Sequence, residues 1–152
     1  MSERRLPCRS KVLYHVTMAP AREIELHGID YRRAGKSYEE DEGLFLDPPA
    51  NYLWPTLRAA ERWARCYCRG SASIYAVDVA GLSLRRDRFW DGLPAGSRHY
   101  RNFVGPRGGR PRAYYSEEPL AAGRLRLVGR AEAALPPRQR RGASSTPQAA
   151  SR

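Results

Sequence analysis

Long apolar runs, lysine and cysteine are scarce in this sequence of 152 residues. No run of about 18 apolar residues, the length of a membrane-spanning helix, is present, and no apolar stretch of signal-peptide length follows the N-terminal arginines. We therefore expect a cytoplasmic protein without membrane contact. The sequence has an odd number of cysteines, namely Cys8, Cys66 and Cys68. Beyond the pair Cys66 and Cys68, no second Cys/His pair occurs at the spacing of a zinc site. Reduced thiols and no bound metal are expected.

The signatures of three large enzyme classes are also missing. The sequence contains no G-x-S-x-G, no G-x-x-x-x-G-K-S/T, and no G-x-G-x-x-G between a strand and a helix. Serine hydrolases of that type, P-loop nucleotidases and dinucleotide-binding folds are therefore excluded. The glycine-rich segment 105–110 lacks the strand and helix that would direct its amides at a phosphate, so we interpret it as flexible.

Positive charge is in large excess. The 27 Lys and Arg against 16 Asp and Glu give a net charge of +11 and a pI near 10.2. This charge favours an acidic partner, such as nucleic acid, a nucleotide or an anionic protein surface. Arginine supplies all of it except Lys11 and Lys36, so the excess can equally reflect a compositional habit. The length allows one domain over 1–135, and 136–152, which has no apolar period, predicts a disordered basic tail.

The first half of the chain predicts two strands and two helices. A strand over 12–16 precedes a short helix over 18–27, with Thr17 as its N-cap and Gly28 at its C-terminal stop. A second strand covers 43–47, and Pro55 opens a longer helix that runs to Tyr67. One stripe of side chains on that helix is predicted to be buried in the core. A second stripe, of arginines, is predicted either to face solvent or to bind a phosphate backbone. The first stripe is Thr56, Ala60, Trp63, Ala64 and Tyr67, and the second is Arg58, Arg62, Arg65 and Arg69.

The second half predicts mostly strands. Residues 73–79 alternate as a strand that Gly81 breaks, and 82–87 is expected to continue it at a sheet edge. A loop rich in Gly, Pro and Arg over 91–112 is a candidate for recognition. Residues 114–120 then enter a last hairpin, whose second strand alternates over 124–128. Many strands with two helices predict the α+β class.

Several segments, taken in order, resemble the ADP-ribosyltransferase superfamily. The sequence YHVT over 14–17 is similar to the His-x-Thr motif on the first core strand of that family, and GI over 28–29 stands at the place of its Gly-Leu. GLFLD over 43–47 is similar to the family's aromatic strand, and 118–128 resembles the late strand that a catalytic glutamate precedes. Segments 74–87 and 115–120 are similar to the small rifampin-modifying members. The resemblance covers about residues 12 to 130.

This resemblance implies a small split sheet, mixed or antiparallel, with a few short helices. It also implies an NAD-dependent glycosyltransferase reaction that moves ADP-ribose to a macromolecular or small-molecule acceptor and releases nicotinamide. Glu118 and His15 would be the catalytic residues, since a carboxylate stabilises the oxocarbenium character of the ribose. His15 and Thr17 would hold the adenosine-side ribose, and Phe45 and Trp63 would flank the nicotinamide. The net charge makes nucleic acid one candidate acceptor.

The resemblance does not decide which acidic residue would be catalytic, or whether the chain would be active. Rifampin-modifying members use an aspartate at the place of Asp87, and Glu117 neighbours the preferred Glu118. Phe45 stands where many relatives have a tyrosine, and it can stack on a ring without offering a hydroxyl. Two other functions remain: an NAD-dependent RNA 2′-phosphotransferase of the same superfamily, or a catalytically inactive nucleic-acid-binding module of the same fold.

Overall fold

The computed structural model describes residues 11–33, 49–68, 70–94, 96–97 and 112–132. These ranges contain β1 Val12–Thr17, α1 Ala21–His27, β2 Asn51–Leu53, α2 Leu57–Tyr67, β3 Ala72–Asp78, β4 Arg85–Asp87, β5 Ala113–Ser116 and β6 Leu125–Ala131. Short 3₁₀ helices cover Phe89–Gly92 and Ala122–Arg124. The α+β class expected from the sequence is confirmed.

The strands form two antiparallel sheets of three strands each, in the orders β1-β3-β6 and β2-β5-β4. We call them the first and second sheets. They meet where Tyr14 of β1 and Trp54, just after β2, exchange two backbone hydrogen bonds of 2.8 and 2.7 Å. β3 is central in the first sheet and carries Ile74, Tyr75 and Val77, which are the β-branched and aromatic types that suit a strand buried on both faces.

Apolar side chains pack on both faces of the first sheet, because successive residues of a strand point to opposite sides. Val16 packs with α2 and with the rings of Trp54, Trp63 and Trp90, which form the aromatic core. The Trp54 ring centroid lies 5.5 Å from that of Trp63 and 5.3 Å from that of Trp90. On the other face, a second cluster, the aliphatic core, packs against α1. Its members include Leu13, Ile24, Leu53, Val77 and Leu120.

Two helix starts differ from the sequence prediction. α1 begins at Ala21, and Thr17 remains in β1, where its Oγ1 accepts a hydrogen bond of 3.1 Å from the N–H of Ala19. The fixed φ of Pro20 suits the position before a helix but not its interior. α2 begins at Leu57 because Thr56 is its N-cap, accepting from the N–H of Ala59, so Thr56 is not in the core. The other four residues of its stripe are buried, as predicted.

The predicted last hairpin is wrong. β5 pairs with β2 and β4, whereas β6 pairs with β3, so the two strands belong to different sheets. Between them, Leu120 exchanges backbone hydrogen bonds of 2.9 and 2.8 Å with Ile29. The expected edge continuation at 82–87 is also displaced. Gly81, with φ of 76°, lies in the turn after β3, and Arg85–Asp87 joins the second sheet.

Several predicted segments lie outside the described residues. They are the strand over 43–47, most of the loop over 91–112, and the tail over 136–152. In the part of the chain that the structure describes, no helix has the length and apolar composition needed to cross a membrane.

Candidate functional site

His15 lies on β1 where the two sheets separate. If antiparallel pairing continued beyond the isolated Tyr14–Trp54 pair, Val16 would lie opposite Tyr52. Instead, the carbonyl oxygen of Tyr52 lies 2.8 Å from the side-chain Nδ1 of His15. Because a carbonyl only accepts, Nδ1 carries the hydrogen and donates it. When the ring is neutral, Nε2 therefore presents a lone pair.

Burial keeps the His15 ring neutral at physiological pH. It lowers the pKa of His15 from 6.5 to about 4, and the hydrogen bond to Tyr52 offsets only part of that effect. A group with so low a pKa binds almost no proton near pH 7, and so it has little capacity as a general base there. A neutral imidazole with a fixed orientation suits the binding of a hydroxyl group.

The pH dependence of stability tests this environment. The unfolded chain has the ordinary value of 6.5 and the folded chain about 4, so the unfolded state binds the proton first as pH falls. Protonation therefore removes stability between those two values, by about 2–3 kcal/mol at pH 4. His15→Asn, whose amide can donate to Tyr52, is expected to flatten this dependence. Urea unfolding of both proteins from pH 7 to 4 measures the difference, and parallel curves would contradict the assignment.

Asn51 is a buried amide, 1% exposed, that connects three segments of the chain. Its Oδ1 accepts a hydrogen bond of 2.8 Å from the N–H of Tyr31, and its Nδ2 donates one of 2.9 Å to the carbonyl of Glu118. Ser116 lies opposite Asn51 in the β2–β5 register and is fully buried. Its hydroxyl accepts from the N–H of Glu118 at 3.2 Å and donates to the Glu118 carbonyl at 3.1 Å. Two buried side chains thus hold the backbone of Glu118, while its side chain is exposed.

His15 and Glu118 are anchored to neighbouring residues of β2. Glu118 is held by the Asn51 side chain, and His15 by the carbonyl of the residue that follows Asn51. His15 stands two positions after Leu13, and Asn51 two positions before Leu53. Residues two apart on a strand share a face, and both leucines belong to the aliphatic core. His15 and Asn51 therefore lie on the same side as that core. We call this arrangement the His15–Glu118 site.

Glu117 differs from its neighbour in its contacts. Its Oε1 lies 3.9 Å from a guanidinium nitrogen of Arg85 on β4, and both side chains are about half exposed. Such an exposed ion pair contributes little to stability. Because side chains alternate along β5, Glu117 follows the face opposite to that of Ser116. Glu118 is thus the glutamate whose backbone belongs to the Asn51 network.

Asp87, the alternative acid, has structural partners. It is 4% exposed, its Oδ1 accepts from the N–H of Phe89 at 3.0 Å, and its Oδ2 accepts from Trp90 Nε1 at 3.1 Å. Burial raises the pKa of Asp87, and these two hydrogen bonds oppose the rise. The carboxylate therefore fixes the 3₁₀ helix and the buried Trp90.

Asp87→Asn provides a direct test of that role. One carboxylate oxygen becomes an NH₂ group, so either the Phe89 amide or the Trp90 indole loses its acceptor. We expect the free energy of unfolding to fall by about 2 kcal/mol. Any NAD turnover of the folded variant should stay close to that of the parent protein. Unchanged stability together with lost turnover would instead assign the reaction to Asp87.

The remaining predicted site residues are distributed differently. Thr17 is 2% exposed, and its hydroxyl accepts from the Ala19 amide, which leaves it little surface for a ribose contact. Trp63 is 5% exposed within the aromatic core, on the face of β1 opposite to His15. There it packs against the ring of Trp54. Phe45 lies outside the described residues.

Sequence reasoning missed Asn51 and the role of Ser116. An asparagine two residues after a pair of prolines is typical of a turn, so nothing local indicates that Asn51 is buried in a strand. Ser116 stands within the segment that resembles the rifampin-modifying relatives, and an alternating polar position at a strand end is an equally weak signal. Only the pairing of β2 with β5 brings the two side chains opposite each other.

No metal site is found among the described residues, where no three His, Cys, Asp or Glu side chains are grouped as ligands. Cys66 is exposed and Cys68 is buried, and both are free thiols. Burial raises the pKa of both thiols, that of Cys68 to about 11, which favours the protonated form over the thiolate that binds metals.

No protein-family model, curated protein or solved structure matches this chain.

Proposed function

We propose that this protein is an NAD-dependent ADP-ribosyltransferase. The observation that carries the proposal is the anchoring of the His15 ring and the Glu118 backbone to adjacent residues of β2. His15 and Glu118 are 103 positions apart in the sequence. The reaction needs two groups of this kind: a neutral ring whose second nitrogen can accept a hydrogen bond, and an exposed carboxylate on a main chain that is held in place. Their combination with the motif order of the chain favours this chemistry over the others.

Glu118 stabilises the transition state in this proposal. Cleavage of the bond between nicotinamide and ribose develops positive charge on the sugar, and a fixed carboxylate next to it lowers the barrier. The hydrogen bonds from Asn51 and with Ser116 hold the main chain at Glu118, so the side chain starts from a fixed backbone position. A main chain fixed in advance leaves only the side-chain torsions of Glu118 to adjust during the reaction.

His15 positions NAD. Its Nδ1–H is engaged by Tyr52, so Nε2 is the nitrogen that can accept a hydrogen bond from a ribose hydroxyl. The lowered pKa keeps that nitrogen an acceptor over the whole physiological pH range. The nicotinamide contact is assigned to Phe45, as its position in the aromatic motif suggests, since Trp63 is occupied in the core.

The experiment is an NAD turnover assay with purified protein. NAD and water are expected to give ADP-ribose, nicotinamide and a proton, and chromatography quantifies the nicotinamide. Nucleic acid, protein and small-molecule acceptors are added in parallel reactions. Absence of nicotinamide release under every condition would refute the proposal. Loss of a 2′-phosphate from RNA without stable ADP-ribosylated product would instead indicate the phosphotransferase.

A further inference from the structure

One cross-strand row of the second sheet combines two aromatic rings with an arginine. In the registers of the sheet, Tyr115 of β5 lies opposite both Tyr52 of β2 and Arg85 of β4. Directly opposite residues of antiparallel strands share a face, so the three side chains lie side by side. The tyrosine ring centroids are 5.7 Å apart, with 46° between the ring planes. Both rings are half-buried, and 52% of the Arg85 side chain is exposed. We call these three residues the Tyr–Arg row.

The charges around the row favour an anion. Arg88 directly follows β4 and Arg112 directly precedes β5, and both residues are exposed. Three of the acidic groups nearby have partners, and a fourth, Glu118, lies beyond the end of β5. Asp87 is buried with two hydrogen-bond donors, Asp91 contacts Arg86 at 2.7 Å, and Glu117 contacts Arg85 at 3.9 Å.

The Arg85–Glu117 contact does not compete strongly with a ligand. Both side chains are about half exposed, and ion pairs of this kind are worth little in water. A phosphate offers a guanidinium a shorter and bidentate partner. Arg85 can therefore exchange the carboxylate for a phosphate oxygen while Tyr115 keeps its ring on the same face.

We propose that the Tyr–Arg row binds single-stranded nucleic acid. An unpaired base stacks on Tyr115, Tyr52 supports that ring from the side, and Arg85 contacts the backbone phosphate. Aromatic rings beside arginines on a sheet surface are the combination that holds unpaired bases without sequence preference. A duplex does not fit, because its base faces are covered by neighbouring bases and only its ends offer a face to stack.

The row also adjoins the His15–Glu118 site. The carbonyl of Tyr52 holds His15, and Glu118 follows Glu117, the partner of Arg85. If the proposed function holds, the bound strand is the acceptor of ADP-ribose. Binding itself does not depend on that chemistry, so the two proposals can fail separately.

The test is fluorescence anisotropy with labelled single strands of about 12 nucleotides, which covers one typical site. DNA and RNA strands of the same sequence distinguish the two sources of the ligand, and a duplex is measured in parallel. Tyr115→Ala is expected to weaken single-strand binding about tenfold or more, because stacking is lost. Tyr115→Phe keeps the ring, so binding should stay within about twofold of wild type. Arg85→Ala should weaken binding and lower its salt dependence.

Arg126→Ala on β6 is the matched control, since Arg126 is an exposed arginine on the strand of the first sheet that β3 separates from β1. It should leave the affinity within about twofold, because it contacts no phosphate in this proposal. Thermal unfolding checks that every variant is folded. Wild-type affinity in Tyr115→Ala, a larger loss in Arg126→Ala than in Arg85→Ala, equal affinity for duplex, or no binding at all would each overturn the proposal. Intact nicotinamide release in any of these cases leaves the proposed enzyme function standing.

Discussion

Replacement of Glu118 by Gln is expected to lower the rate of nicotinamide release from NAD by about 100-fold or more. Gln has nearly the same shape, but it carries no negative charge to stabilise the sugar in the transition state. The side chain is exposed and the Asn51 and Ser116 contacts involve only the backbone of Glu118, so the fold should be unaffected. Rates are measured by chromatography of nicotinamide, and unfolding midpoints by circular dichroism.

Glu117→Gln is the matched control for this variant. It makes the same chemical change at the next residue, whose carboxylate contacts Arg85. Its nicotinamide release should remain within about threefold of wild type, because a half-exposed surface pair contributes little. Equal losses in both variants would point to an effect of net charge. A loss confined to Glu117→Gln would move the catalytic role to that residue.

Gly28→Ala is expected to lower the free energy of unfolding by about 3 kcal/mol or more. Gly28 ends α1 with φ of 69° and ψ of −158°, a region that only glycine adopts readily. A Cβ at this position would overlap the carbonyl oxygen of Leu120, which accepts a hydrogen bond from Ile29. The backbone of Gly28 or of Leu120, two residues after Glu118, must therefore move to accommodate the Cβ.

Gly81→Ala separates backbone strain from this overlap. Gly81 also has a positive φ, of 76°, but a Cβ there meets nothing within 4 Å. We expect Gly81→Ala to lose about 1 kcal/mol, from strain alone. Urea unfolding of both variants gives the comparison, with the difference between them assigned to the contact with Leu120. Similar losses in the two variants would contradict a tight approach at Gly28.

The local parts of the fold follow from the sequence, and the long-range parts do not. β1, β3 and the buried stripe of α2 were predictable because hydrophobic periodicity depends on residues that are close together in the chain. The assignment of β5 and β6 to separate sheets was not, since a short turn between two alternating segments favours a hairpin. The actual partner of β6 is β3, whose residues lie about fifty positions earlier.

The candidate site shows the same limit. His15 and Glu118 are predicted from motif order, whereas the structural role of Asp87 depends on its burial against Trp90, which no spacing indicates. Trp63 stood in both a core stripe and a candidate ligand set, and its burial with Trp54 decides for the core. The role of Asn51 could not be predicted from the sequence, because both of its hydrogen-bond partners are distant along the chain, at separations of 20 and 67 residues.

These separations bear on the order in which the protein folds. Contacts between distant residues form late, because closing a long loop loses chain entropy before the contact is gained. We therefore expect the amide of Asn51 to join its two partners late, after β2 has paired with β5 and the segment after α1 is in place. A nascent or partly folded chain therefore cannot present Glu118 in its final position. Under the proposed function, consumption of NAD would begin only when the whole domain has folded.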